Sequence, residues 1–177
     1  TERQPDNPAG GVGLADGLAR SGRMEEAESA LARAGSLAPR LPAVYIGRAE
    51  LHYQYGEWDA VIADADRALA LDDASFQARL LRASTLVRLR RTVEAARDIE
   101  RLLRDRPGHP SALMLEGQRL MMEGRPAEAV GPLEGAARGQ TDDPGLWFAL
   151  GNARAAAGDL GAARAALERA LDLEPRF

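Results

Sequence analysis

A period of 34 residues runs through this sequence and constrains its fold more than any other feature. Glycine recurs at that interval in four of five copies, with Arg90 in the remaining one: Gly22, Gly56, Gly124 and Gly158. Small or apolar residues keep the same interval at two other points of the period: Ala15, Ala49, Ala83, Gly117 and Gly151, and Ala27, Val61, Ala95, Ala129 and Ala163. Because these series stay in register without an insertion, the chain consists of equal, repeated structural units.

Each unit has the sequence pattern of a hairpin of two helices. Proline begins four of the five units, and its missing N–H group is tolerated at the first position of a helix. Asn7 and Asp143 precede two of these prolines and are good helix N-caps. Glycine near the middle of a unit is typical of a helix end, and the alanine-rich run after it predicts a second helix. We therefore expect ten helices in five hairpins.

The pattern resembles the tetratricopeptide repeat. The resemblance covers five copies without gaps, residues 8–41, 42–75, 76–109, 110–143 and 144–177, after a tail of residues 1–7. The fifth copy matches the family pattern most closely, at Trp147, Leu150, Gly151, Gly158, Ala163, Leu167, Ala170 and Pro175. The third departs from it, because Arg79, Arg82 and Arg90 replace two apolar residues and the turn glycine. The resemblance implies an all-α fold, a right-handed α–α superhelix that forms one solenoid domain over residues 8–177.

One face of the first helices is the expected binding surface. Counting from the first residue of each copy, repeat positions 2, 5, 9 and 12 share one face of an α-helix. By resemblance to the family, that face lines a concave groove, and its apolar rows suit an amphipathic helix or an extended peptide. The predicted partner-binding residues are Val12, Ile46, Glu50, Tyr53, Leu80, Ser84, Val87, Arg88, Met114, Gln118, Met121, Met122, Phe148 and Asn152. The alternative is that these residues pack against adjacent hairpins, or that the tail folds over them.

No group of residues in the sequence predicts a reaction. There is no cysteine, so thiol nucleophiles and thiolate metal sites are excluded. His52 and His109 occupy different repeat positions and form no ligand or nucleophile–base spacing. Paired aspartates at repeat junctions lack the spaced oxygen ligands of a calcium loop. We expect a non-enzymatic protein with no catalytic residue, cofactor or metal.

Charge and hydropathy exclude two further classes of partner. The net charge of −4 is too small, and of the wrong sign, for a general nucleic-acid binder. No run of about 18 apolar residues exists, so we expect no membrane insertion. The third copy has nine arginines and four acidic residues. One interpretation is a docking patch for an acidic partner, and the one that we favour is an ion-paired helix face. The arginines concerned are Arg79, Arg82, Arg88, Arg90 and Arg91.

The expected function is a scaffold that binds a peptide or helix of a partner protein. Chaperone-docking members of the family clamp a terminal carboxylate with Lys, Asn and Arg, but this sequence has no lysine, so we do not expect that mode. The rival hypothesis is that the repeats are the accessory part of a larger enzyme, such as a transferase. The apolar edge near Leu160, Ala166 and Leu173 also allows self-association. All 23 basic residues are arginine, which favours a GC-rich bacterial genome; the sequence leaves the compartment open.

Overall fold

The computed structural model describes residues 7–139 and 142–174, which form ten α-helices and no strand. The helices are α1 (Pro8–Arg20), α2 (Met24–Leu37), α3 (Pro42–Tyr55), α4 (Trp58–Leu71), α5 (Phe76–Arg88), α6 (Thr92–Asp105), α7 (Pro110–Met122), α8 (Pro126–Gly139), α9 (Pro144–Ala156) and α10 (Leu160–Leu173). The predicted all-α fold of paired helices is confirmed. Residues 1–6 of the predicted tail, and Pro175 at its family position, lie outside the described residues.

The helix starts follow from capping chemistry. Helices α1, α3, α7 and α9 have proline at their first position. The Asn7 side chain accepts a hydrogen bond from the Ala9 amide at 3.1 Å, and the Asp143 carboxylate accepts one from the Leu146 amide at 3.2 Å. Both bonds satisfy an amide that has no partner within its helix. The two predicted N-caps are therefore confirmed.

All five hairpins make the same turn between their helices. The amide at repeat position 15 bonds to the carbonyl three residues earlier, and the next amide bonds to the carbonyl five residues earlier, which is the Schellman pattern. The residue at position 15 has a positive φ in every copy: 72° to 92° in the four glycines and 58° in Arg90. The third copy thus forms the family turn although it lacks the glycine that makes this backbone conformation cheap.

The chain divides into two compact units, Thr1–Thr85 and Leu86–Phe177, with the division inside α5. In the first unit, α1 packs on α2 and α3 on α4, and both α1 and α2 contact α3. In the second unit, α7 packs on α8 and α9 on α10, while α6 contacts α7 and α8 contacts α9. The single solenoid domain over residues 8–177 stays a prediction.

Small side chains at recurring positions let the two helices of a hairpin approach closely. Ala27, Val61, Ala95, Ala129 and Ala163 are each exposed by 3% or less. At Gly117, an added Cβ atom would lie 2.4 Å from Cγ of Leu133, and at Gly151 it would lie 2.6 Å from Cγ of Leu167. Real atoms do not approach so closely, so glycine is required where leucine faces it in the fourth and fifth hairpins. The packing role predicted for these small residues is confirmed.

Candidate functional site

In the first unit, three predicted binding residues line one hollow between α1 and α3. The hollow has a volume of about 150 Å³. Val12 contributes from α1, and Ile46 and Glu50 contribute from α3. The remaining lining residues are Ala15, Asp16, Ala19, Leu31, Ala43, Gly47, Leu51 and Gln54. The 3.6-residue period therefore brings these three residues to a common surface feature, as the sequence predicted.

Close packing beneath the hollow explains its apolar floor. Ala15, Leu31 and Leu51 are buried, with exposures of 3%, 1% and 4%, and they belong to one apolar cluster. Gly47 lies over Leu31, and a Cβ atom there would be 2.9 Å from a Leu31 methyl carbon. The Gly47 backbone therefore packs directly on Leu31, and these residues give the hollow its apolar floor.

The polar groups at this hollow are acidic or neutral. Asp16 accepts a hydrogen bond from Nε of Arg20 at 3.1 Å, and both side chains are more than half exposed. One carboxylate oxygen of Glu50 accepts a hydrogen bond from the side-chain amide of Gln77 at 3.1 Å. The hydrogen-bond partner of Glu50 is therefore a neutral side chain.

The other predicted residues of the first unit lie outside this hollow. The ring of Tyr53 packs edge-to-face against Trp58 of its own hairpin, with 5.3 Å between the ring centroids. The Ser84 hydroxyl donates to the Leu81 carbonyl at 2.9 Å, and Leu80 is half-buried. Tyr53 and Ser84 are thus engaged by packing and hydrogen bonding within their own hairpins and do not line the hollow.

In the second unit, two predicted methionines rest on the core. Met114 and Met121 are half-buried against an apolar cluster that includes Leu120, Leu146 and Leu150. Met122 and Gln118 are also half-buried, as the sequence pattern allows for a helix face at the edge of a core. Methionine is unbranched and polarizable, so this surface is suited to varied apolar contacts.

The other four predicted residues of the second unit differ in their exposure, and the prediction for Val87 is wrong. Arg88, Asn152 and Phe148 are exposed, Phe148 by 44%. Val87 is only 3% exposed, and its neighbour Leu86 is equally buried, so α5 is covered on more than one face at this point. Val87 supports packing, and a partner has no access to it.

The arginine cluster of the third copy is largely ion-paired. The side chain of Arg79 is 9% exposed and bonds to the Asp73 carboxylate at 2.9 Å. Arg82 pairs with Asp66, and Arg91 pairs with Glu94 at 2.7 Å. These partners neutralise the charges, which favours the ion-paired helix face over a docking patch. Burial of Arg79 was not foreseen; its apolar stem occupies a position where the family has an apolar residue.

A second, larger hollow lies between α2 and α3 and was missed by the sequence analysis. Its volume is about 360 Å³. The lining residues are Glu28, Leu31, Ala32, Gly35, Val44, Tyr45, Arg48, Leu51 and His52. The small residues Ala32 and Gly35 on α2 were the available signal, but sequence periodicity alone did not show that no larger side chain fills the space above them.

A buried carboxylate lies behind this second hollow. Asp64 is 7% exposed, and its Oδ2 atom is 3.4 Å from both Nε of Arg48 and Nε2 of His52, beyond good hydrogen-bond geometry. Burial raises the pKa of Asp64, and the charges of Arg48 and His52 offset only part of that shift. Nδ1 of His52 also lies 2.6 Å from Glu57. The His52 ring therefore lies between the carboxylates of Glu57 and Asp64.

Within residues 7–139 and 142–174, no group of three or more histidine or acidic side chains could hold a metal ion. None of the described helices has the length and apolar character needed to span a bilayer.

Comparison with known proteins assigns the family. Family models of the tetratricopeptide repeat match residues 46–110 and 80–145, and a further one matches residues 144–177. No curated protein sequence matches the chain significantly.

Several solved structures share the fold. MamA residues 41 to the end, from Desulfovibrio magneticus RS-1, has a TM-score of 0.81 and 16% identity, with 98% of each chain covered. A thermophilic tetratricopeptide-repeat protein of Thermus thermophilus has a TM-score of 0.76 and 19% identity, over 96% of this chain and 93% of that one. YrrB, described as having an unusual peptide-binding site, has a TM-score of 0.73 and 17% identity, over 96% and 88%. From the family matches, which together span residues 46–177, we conclude that this chain belongs to the tetratricopeptide repeat family.

Proposed function

We propose that this protein-interaction scaffold holds a peptide or helix of a partner protein against the exposed face of its first helices. The observation that carries the proposal is the hollow between α1 and α3, where Val12, Ile46 and Glu50 come together over an apolar floor. Concave apolar surfaces with a few polar groups are the usual form of a binding site. YrrB, which shares the fold, has a peptide-binding site, and this supports a peptide as the ligand class.

The second unit supplies a matching surface for the same role. Met114 and Met121 present adaptable apolar contacts, and Phe148 exposes 44% of its surface. Aromatic and methionine side chains are enriched at protein interfaces. Each unit therefore has its own first-helix face on which an apolar side chain of a partner could be buried.

Selection of phage-displayed apolar peptides, followed by affinity measurements on surface variants, tests the proposal. Ile46→Asp and Met114→Asp should each weaken peptides that bind their unit, because a carboxylate replaces an apolar contact. Phe148→Asp, on α9, is a second variant of the second unit. Because Phe148 is partly exposed, this variant should keep its fold. The matched controls are Val93→Asp and Leu160→Asp, on second helices, where the side chains are 73% and 72% exposed.

The result that would refute the proposal is binding that survives Ile46→Asp, Met114→Asp and Phe148→Asp while each variant keeps its helical circular dichroism spectrum. Weakening by the two second-helix controls, with no effect of the three first-helix variants, would move the site to the opposite face. The alternative hypothesis is that the repeats are the accessory part of a larger enzyme. The reading frame of the full-length gene tests this hypothesis.

Self-association is a second candidate function, favoured by exposed leucines on α10. Leu160 is 72% exposed and Leu171 is 51% exposed, whereas Ala166, expected at the same edge, is buried in the fifth hairpin. At the repeat position of Leu171, the second and fourth copies have Leu69 and Ala137, which are buried. Sedimentation velocity over a wide concentration range, with Leu171→Glu as the disrupting variant, tests this; a monomer at all concentrations contradicts it.

A further inference from the structure

We infer that the hollow between α1 and α3 selects a peptide in which one apolar anchor is flanked by basic residues. This inference rests on the proposed function and adds the chemical class of the ligand. It is carried by the size of the hollow, by the sign of the charges that line it, and by the absence of those charges at the equivalent positions of the second unit.

The size of the hollow limits the anchor to one side chain. Its volume is about 150 Å³. An apolar cavity of about that volume accommodates a benzene-sized group. Val12, Ile46 and Leu31 supply the apolar walls and floor, so a leucine or phenylalanine side chain fits where a longer polar one would lose its hydration.

The charges beside the anchor position are negative. Among the described residues that line the hollow, the ionisable ones are Asp16 and Glu50. Asp16 is partly compensated by Arg20, whereas the described structure pairs Glu50 only with the neutral amide of Gln77. A basic side chain next to the anchor would therefore be attracted.

The second unit lacks these charges at the equivalent repeat position. Asp16 and Glu50 occupy position 9 of the first and second copies, and Gln118 and Asn152 occupy it in the fourth and fifth. An amide hydrogen-bonds without a preference for the sign of a partner's charge. Selection for basic flanks is thus a property of the first unit alone.

The size of the effect follows from the exposure of the carboxylates. Exposed ion pairs contribute modestly and are screened by salt. The energies measured for such pairs correspond to an affinity gain of about one and a half to fivefold per pair. The apolar anchor supplies most of the affinity, and the carboxylates decide between otherwise similar peptides.

The test uses three fluorescein-labelled twelve-residue peptides with one central leucine. They carry arginine, glutamine or glutamate at the positions three and four residues on either side of that leucine, and their affinity for the full chain is measured by fluorescence anisotropy at low and high salt. We expect the arginine peptide to bind most tightly and the glutamate peptide most weakly. Glu50→Gln, which introduces the residue type found at the equivalent position of the fourth copy, should weaken the arginine peptide two- to fivefold and leave the glutamine peptide unchanged.

The control variant is Glu25→Gln, which makes the same charge change on an exposed position of α2 in the same unit. It should leave the order and the ratios of the three affinities unchanged. Equal binding of all three peptides, or an arginine-to-glutamine ratio that Glu50→Gln does not alter, would overturn the inference while leaving the proposed function intact. Failure of every peptide to bind would instead count against the proposed function, and the inference would fall with it.

Discussion

Replacing Arg90 by glycine should stabilise the protein, because Arg90 holds a backbone conformation that suits glycine. Its φ is 58°, and the four other copies have glycine at the same turn position. A left-handed conformation costs an L-residue about 1–2 kcal/mol. Glycine avoids that cost but loses roughly 0.5–1 kcal/mol more through backbone entropy on folding. The net gain in the free energy of unfolding is therefore about 1 kcal/mol.

The assay is urea unfolding followed by circular dichroism, with thermal unfolding as a second measure. A gain of about 1 kcal/mol corresponds to an increase in Tm of roughly 2–4 °C for a chain of this size. Arg90→Ala is the matched control, because it removes the same charge from the arginine-rich third copy but keeps the Cβ atom. Equal stabilisation by both variants would assign the effect to charge repulsion, and no stabilisation by glycine would refute the strain argument.

The remaining predictions concern packing and pH. Gly117→Ala should lower the free energy of unfolding by about 1–3 kcal/mol, because the added Cβ would lie 2.4 Å from Leu133. Gly17→Ala, in open space on α1, should instead raise it by up to about 1 kcal/mol. Urea unfolding of the two variants measures both changes. Ala163→Leu should cost about 1–3 kcal/mol by overpacking, and an unchanged Tm would place Ala163 away from a helix contact. Because burial raises the pKa of Asp64, the native state binds more protons there than the unfolded state, so the contribution of Asp64 to stability should fall as the pH rises from 3.8 through its raised folded-state pKa. Asp64→Asn should remove that part of the pH dependence, and an unchanged slope of unfolding free energy against pH would contradict the assignment.

Backbone features were predictable from this sequence because they depend on short, repeated patterns. The N-caps at Asn7 and Asp143 follow from side-chain chemistry next to proline. The turn at repeat position 15 follows from glycine in four copies, whereas the same turn at Arg90 could not be read from the residue type. Burial of the recurring small residues follows from the close approach of paired helices. Each of these is set by residues within one hairpin.

Surface features were only partly predictable, because they depend on how neighbouring side chains are directed. Periodicity placed Ile46 and Glu50 at one hollow, but it also included Val87, which is buried. Tyr53 belongs to the same face and turns its ring against Trp58 instead. The ion pair of the buried Arg79 side chain likewise depends on an exposed aspartate that the repeat pattern does not specify. A helical period gives the face of a residue, whereas its exposure depends on what packs beside it.

Binding of partners on the first-helix face is tested by an amide chemical-shift map of the protein with the arginine-flanked leucine peptide. The largest shifts should fall in α1 and α3, around Val12, Ile46 and Glu50. Residues of α2 and α4 that face away from the hollow should change little. Shifts concentrated on the second helices would contradict the account.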